Sequence, residues 1–199
     1  MSQDNQPLRI GVAGYMGAGK STCAVLCAEM RGMRIVDADA EAKLLMENDT
    51  RIRNELALAF GPRVAGREAV DFSALGSIAF STTDDMQKLN RIVHPPLVRR
   101  LRDLVLSPPG PCVLDAALIP LWSIDDWFDC LLWVKASPSV RLKRVCEKTG
   151  LPENRVRQRM HVQEALMSEP LGPKWAFINN EGTRDDMASL LDKNVRSRP

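Results

Sequence analysis

The chain has 199 residues, 45% of them hydrophobic, enough for one domain with a sizeable core. Its 27 Lys and Arg against 25 Asp and Glu leave a formal charge of +2, too balanced for a general nucleic-acid or membrane binder. Five cysteines without a CxxC pair, beside two histidines, assemble no zinc site and fit a reducing compartment.

The opening "MSQDNQPLRIGVAG" carries no basic region followed by an apolar stretch, so it does not read as a signal peptide. No apolar run approaches the ~18 residues of a membrane span. A soluble cytoplasmic protein, monomeric or a small homo-oligomer, is the expectation.

In chain order, "LRIGVAG" (8–14) is a short apolar run ending in glycine and predicts a buried parallel strand. "KSTCAVLCAEMR" (20–31) has helical spacing and stops at Gly32; Cys23 and Cys27, four apart, read as small core residues. "RIVDAD" (34–39) predicts a second strand running into two carboxylates. A helical region follows over 40–60, then a turn at "FGPRVAGRE". Residues 73–106 predict helix with a break at "HPP" (94–96), because proline removes a donor and disfavours helix before itself.

"PPGP" (108–111) predicts a stop, and "CVLDAALI" (112–119) and "CLLWVKA" (130–136) two more strands. Helices over 138–148 and 152–168, a strand at "KWAFINN" (174–180) and a helix over 183–193 complete the chain. Strands alternating with helices predict an α/β three-layer sandwich around a parallel sheet. The helical stretch between the second and third strands exceeds what a crossover needs and reads as a substrate-covering insert; the helix pair 138–168 reads as a lid. The basic clusters "HPPLVRRLR" and "RLKRVCEK" would ordinarily be solvated helix faces.

The most specific signal is "GYMGAGKST". Gly14-x4-Gly19-Lys20-Ser21 matches the Walker A pattern between a predicted strand and a predicted helix. Glycines let backbone N–H groups of the loop (Gly14, Tyr15, Met16, Gly17, Ala18, Gly19) turn around phosphate oxygens, and the helix N-terminus adds partial positive charge. Lys20 would reach the β- and γ-phosphates, Ser21 would ligate Mg2+, and Thr22 closes the ATP-binding stretch. No GxGxxG dinucleotide pattern and no guanine-reading Asn-Lys-x-Asp occurs, which disfavours an oxidoreductase or a common GTPase.

A small-molecule kinase needs a carboxylate at the acceptor hydroxyl, cations around the moving phosphoryl group, and a lid. Asp37 and Asp39 stand where ligands meet parallel sheets, with helix capping the competing role for each. Asp115 after "CVL" has the form of a Walker B carboxylate that steers Mg2+ indirectly. Arg141, Arg144 and Lys148 fall at i, i+3 and i+7, a cationic helix face suited to triphosphate.

These residues resemble the dephospho-coenzyme A kinases. The likeness is an ordered series: "RIGVAGYMGAGKST", "VDADAEAK", "VDFSALGSIAF", "RIVHPPLVR", "RLKRVCEKTGLPENRVRQRMHVQ" and "FINNEG". The resemblance implies ATP-dependent phosphorylation of the ribose 3′-hydroxyl of dephospho-coenzyme A. It also implies a single P-loop kinase domain, with a core over about 8–40, 110–138 and 172–196, a helical acceptor-binding insert over about 41–106 and a helical lid over about 139–168.

By the same resemblance Asp39 matches the catalytic base, with Lys20, Arg144 and Asp37 also in the catalytic set; which of Asp37 and Asp39 meets the acceptor stays open. Arg144 and Asn180 lie on the nucleotide side, and Lys43 and His94 on the acceptor side. The sequence departs from the family pattern at Lys43 and Lys148 (usually Arg), Arg141 (Gln), Phe72 (Arg), "ALIPL" (117–121) and Lys174-Trp175. Lysine keeps the charge of arginine but not its planar fork. Two alternatives stay open: another P-loop small-molecule kinase, or a nucleotide-binding protein without an acceptor site.

Overall fold

Strands β1 (Arg9–Gly14), β2 (Arg34–Asp37), β3 (Cys112–Asp115), β4 (Cys130–Lys135) and β5 (Trp175–Asn179) pair in one sheet, ordered β2-β3-β1-β4-β5. Every pairing is parallel, so each connection must cross a face of the sheet. The computed structural model describes residues 7–66, 69–107, 110–170 and 172–196. Residues 1–6 of the opening stretch, 67–68 of the turn "FGPRVAGRE" and 108–109 of the stop "PPGP" lie outside the described residues.

Side-chain alternation along the strands divides the core in two. Ile10, Val12, Val113, Leu132, Val134 and Ile178 point to the face covered by α1 (Lys20–Arg31) and α9 (Arg184–Arg196). Ala13, Leu114, Leu131 and Trp133 point to the opposite face. There they meet α2 (Ala38–Asn48), α3 (Thr50–Phe60), α4 (Phe72–Ala79), α5 (Thr83–Leu106) and the short α6 (Ile119–Trp122). The result is the expected three-layer α/β sandwich. Cys23 and Cys27 are buried beneath α1, as their spacing implied, and all five cysteines are free.

Three successive insert helices begin on an aspartate that accepts two backbone N–H groups: Asp37 for α2, Asp49 for α3 and Asp71 for α4. Each cap satisfies donors the helix cannot satisfy itself and sets where the helix starts. α5 begins instead at Thr82, which accepts Asp85 N–H.

The expected break at 94–96 is absent: α5 runs unbroken through Pro95 and Pro96, and the real interruption lies at Phe80–Thr82. An interior proline costs about 3 kcal/mol or more. Against that, Val93, Leu97, Leu101 and Val105 form a buried stripe on the insert core. Each such side chain contributes roughly 1.5–3 kcal/mol on burial, so the stripe holds the helix together across the prolines. The strand expected over 112–119 also ends early, at Asp115, and Ile119–Trp122 form the short helix α6 instead, with Pro120 in its first turn.

After β4 come α7 (Pro138–Thr149) and α8 (Glu153–Leu166), joined through left-handed Gly150. They pack on each other through Leu142, Val145, Val156 and Met160, with Met16 of the glycine loop against them. Among the described residues no helix is long and apolar enough to cross a membrane.

Candidate active site

The glycine loop rises from the central strand β1, at the carboxyl edge where the strand order reverses and ligand crevices form. Two of its glycines are required by both conformation and space. At Gly14 (φ +146°) a Cβ would lie 2.4 Å from Val134 carbonyl oxygen; at Gly17 (φ +78°) it would lie 2.6 Å from that of Arg141. The loop runs straight into α1, whose first turn holds no acidic residue and no side-chain cap, so its N–H groups remain available to an anion.

Lys20 opens α1 and donates from Nζ to the carbonyl of Tyr15 at 3.4 Å. Burial holds its pKa below the usual lysine value, while the carboxylates of Asp115 and Asp39 oppose that shift. Asp115 ends β3 beside Asp37 on β2 and Val12 on β1. Burial raises its pKa; the hydrogen bond from Ser21 and the charge of Lys20 work against the rise.

The two carboxylates of "DAD" have separate positions. Asp37 Oδ1 accepts the N–H groups of Asp39 (2.9 Å) and Ala40 (3.1 Å), so it caps α2. Asp39, in the first turn of α2, lines a cavity of about 670 Å³ that opens against Gly17, Gly19, Lys20, Ser21 and Thr22. Lys43, His94, Asp115 and Arg144 line the same cavity, so side chains from β3, α1, α2, α5 and α7 meet around one space.

His94 lies edge-on to Trp122, ring centroids 5.4 Å apart, and burial pulls its pKa down to about 4, leaving it neutral near pH 7. Lys43 places its ammonium 5.9 Å from the Phe72 ring centroid. Apolar side chains of the insert, including Leu75, Met86, Leu89 and Leu97, form much of the remaining wall.

The chain matches the family described as Dephospho-CoA kinase over residues 8–185. It is 32% identical over 189 residues to the dephospho-CoA kinase of Geobacillus kaustophilus, covering 92% of this chain and 93% of that one. The chain belongs to the dephospho-CoA kinase family. A crystal structure from Thermus thermophilus superposes with a TM-score of 0.70 at 27% identity, covering 98% of this chain and all of the other. The Campylobacter jejuni dephospho-CoA kinase (TM-score 0.55, 17% identity, 94% and 95% coverage) shares the fold.

As a member of the dephospho-CoA kinase family the protein is a kinase of the P-loop fold, and membership implies ATP as a substrate. Against that background, several expected site residues stand apart from the cavity. Gly14 and Ala18 shape the loop from below, and Tyr15 turns away, its hydroxyl donating to Met167 carbonyl at 3.0 Å and its ring edge-on to Trp133. Asn180 is buried behind the loop and donates from Nδ2 to Ala18 carbonyl at 2.7 Å; a Cβ on Gly19 would lie 2.2 Å from that nitrogen. It braces the loop in this arrangement rather than facing the cavity.

The cationic face of α7 also divides. Arg144 lines the cavity and donates to the carbonyls of Asn180 (3.0 Å) and Gly182 (3.5 Å), with Lys148 beside it on the cavity wall. Arg141 does not join them: it is buried, paired with Glu164 and stacked 5.0 Å over the Tyr15 ring. A three-residue helical spacing cannot register that Glu164 on the next helix would close one of the three.

Among the cavity residues without an assigned role in the sequence are Arg159 and Gln163 on α8. Their i, i+4 spacing with Leu166 at i+7 puts all three on one helix face, a pattern that was available to be read.

Proposed function

We propose that this chain transfers the γ-phosphoryl group of ATP to the ribose 3′-hydroxyl of dephospho-coenzyme A. The observation that carries this reading is a single cavity bounded by the phosphate loop, the Asp39 carboxylate, the insert and Arg144 of α7. On this reading α2–α5 form the acceptor-binding insert, α7–α8 the lid and the sheet the core of one domain, working in the cytoplasm.

Asp39 accepts the proton of the 3′-hydroxyl on its carboxylate as that oxygen bonds to the γ-phosphorus; the bond to the bridging oxygen breaks and ADP departs. Lys20 supplies a fixed positive charge at the β/γ oxygens, and Arg144 adds a second from the lid. Lys20 is held ready by its contact with Tyr15 carbonyl, so little reorganisation is needed when phosphate arrives. Asp37 acts through its cap, setting the start of α2 and with it the position of Asp39. Neutral His94 and Lys43 contact the acceptor, and Asn180 keeps the loop in shape for nucleotide.

Mg2+ fits the donor set. The Ser21 hydroxyl is already directed at the buried Asp115 carboxylate, and both offer the hard oxygen ligands that this ion prefers. Ser21 would bind it directly and Asp115 through its hydration shell; when bound it neutralises phosphate charge.

ADP release from ATP should be measured with dephospho-coenzyme A and, in parallel, with adenosine, nucleoside monophosphates, shikimate and gluconate. Dephospho-coenzyme A is expected to be turned over fastest. Rapid turnover of another acceptor with none of dephospho-coenzyme A would overturn the reading.

A further inference from the structure

Arg159 of α8 and Lys43 of α2 share one arrangement at the cavity wall. The guanidinium carbon of Arg159 lies 5.0 Å from the Phe80 ring centroid, as the Lys43 ammonium lies over Phe72. Phe72 opens α4 and Phe80 directly follows its last residue, so the two ends of one short helix present two cations to the same space. Neither has an ion pair or a hydrogen bond to a carboxylate among the described residues.

That distinguishes them from many cations of this chain. Arg100 is paired with Glu41, Lys135 with Glu169 and Arg141 with Glu164. Burial lowers the pKa of Arg159, and the charge of another cation, Arg155 on the same helix, adds to that shift. A half-buried guanidinium facing a like charge is held at a cost unless an anion meets it. Aromatic support takes up the flat face of the guanidinium and leaves its edge donors free for oxygens.

The position is also built. Gln158 Nε2 donates to Ser81 carbonyl at 2.7 Å, tying α8 to the segment between α4 and α5 beside Arg159. Gly76 lies under the guanidinium, where an added Cβ would be 3.8 Å from its terminal nitrogen. At the phosphate-loop end a separate set of cations gathers, Lys148 and Arg141 being those whose charge lowers the pKa of Lys20.

We infer that Arg159 and Lys43 form a second anion subsite, on the insert side of the cavity, that takes the diphosphate of the acceptor. The inference rests on the proposed reading and deepens it: dephospho-coenzyme A carries a diphosphate on the 5′ side of the ribose whose 3′-hydroxyl meets Asp39. The subsite makes the enzyme selective for acceptors with that diphosphate over the bare nucleoside.

The test compares kcat/KM for dephospho-coenzyme A with kcat/KM for adenosine in wild type, Arg159→Met, Arg159→Lys and Lys43→Met. Methionine keeps a long stem over Phe80 without the charge, and thermal unfolding confirms that each variant is folded. The dephospho-coenzyme A/adenosine ratio should fall roughly tenfold or more in Arg159→Met, as loss of a charge-assisted hydrogen bond implies. The loss should lie in the KM for dephospho-coenzyme A, with the KM for ATP unmoved; Arg159→Lys should recover part of it, and Lys43→Met should show a smaller fall.

If wild type prefers dephospho-coenzyme A and Arg159→Met keeps that preference, the subsite falls and the proposed function stands. If wild type itself shows no preference for dephospho-coenzyme A over adenosine, both fall together.

Discussion

The side-chain oxygen of Gln163 accepts the backbone N–H of Met16 at 2.6 Å, so α8 is hydrogen-bonded to the phosphate loop itself. The Tyr15 hydroxyl on Met167 carbonyl reinforces the same seam, and the Arg141–Glu164 pair ties α8 to α7. Gln163→Ala removes the tie at the nucleotide end of the cavity. We expect the KM for ATP to rise roughly fivefold, the equivalent of one hydrogen bond of about 1 kcal/mol, with a smaller change in kcat. Steady-state kinetics at varied ATP checks this; a fall in KM would mean that the carboxamide competes with phosphate for Met16 N–H.

Asp37 and Asp39 should separate in their effects. Asp39→Asn is expected to lower kcat by roughly 10²-fold or more, as loss of a general base does. Asp37→Ala should instead cost about 1 kcal/mol of stability, the worth of an N-cap, with a milder fall in kcat. Paired turnover and denaturant-unfolding measurements decide it. Near-normal kcat in Asp39→Asn would remove it from the chemistry.

Lys20→Ala should lower kcat by about 10²–10³-fold through loss of preorganised charge at the phosphates. Unfolding should change little, because burial already disfavours its charged form. A large loss of stability with retained turnover would contradict its role.

His94 gives a pH signature. Its pKa falls from 6.5 to about 4 on folding because burial disfavours the imidazolium. The unfolded chain therefore binds more protons between those values, and the stability tied to neutral His94 is full above pH 6.5 and lost as pH falls toward 4. The loss amounts to roughly 3 kcal/mol by pH 4. In His94→Gln the stability difference from wild type should accordingly shrink between pH 7 and pH 4.5, read from urea midpoints. A difference constant with pH would show that His94 is not titrating as described.

Much of the architecture was legible because its causes are local. The five strands are short apolar runs bounded by glycine, proline or a carboxylate, and all five occur. The glycine loop was legible for the same reason: positive φ and close backbone approach permit few other residues there. The path of α5 was not, because proline is a local signal and the buried stripe that overrides it forms only when the helix meets the insert core.

At the site the boundary between the two sources is sharper. The sequence by itself determined that a phosphate cradle follows β1, that carboxylates end β2 and β3, and that α7 carries a cationic face; backbone conformation and helical periodicity suffice for those. Only the tertiary structure decided which of these groups face the cavity. Asp37 turned out to cap α2 while Asp39 lines the cavity, Arg141 pairs with Glu164 while Arg144 and Lys148 stay on the wall, and Asn180 sits behind the loop. The reason is physical: a polar side chain's role depends on which partner reaches it first, and those partners come from segments distant in sequence that meet only when the helices pack on the sheet.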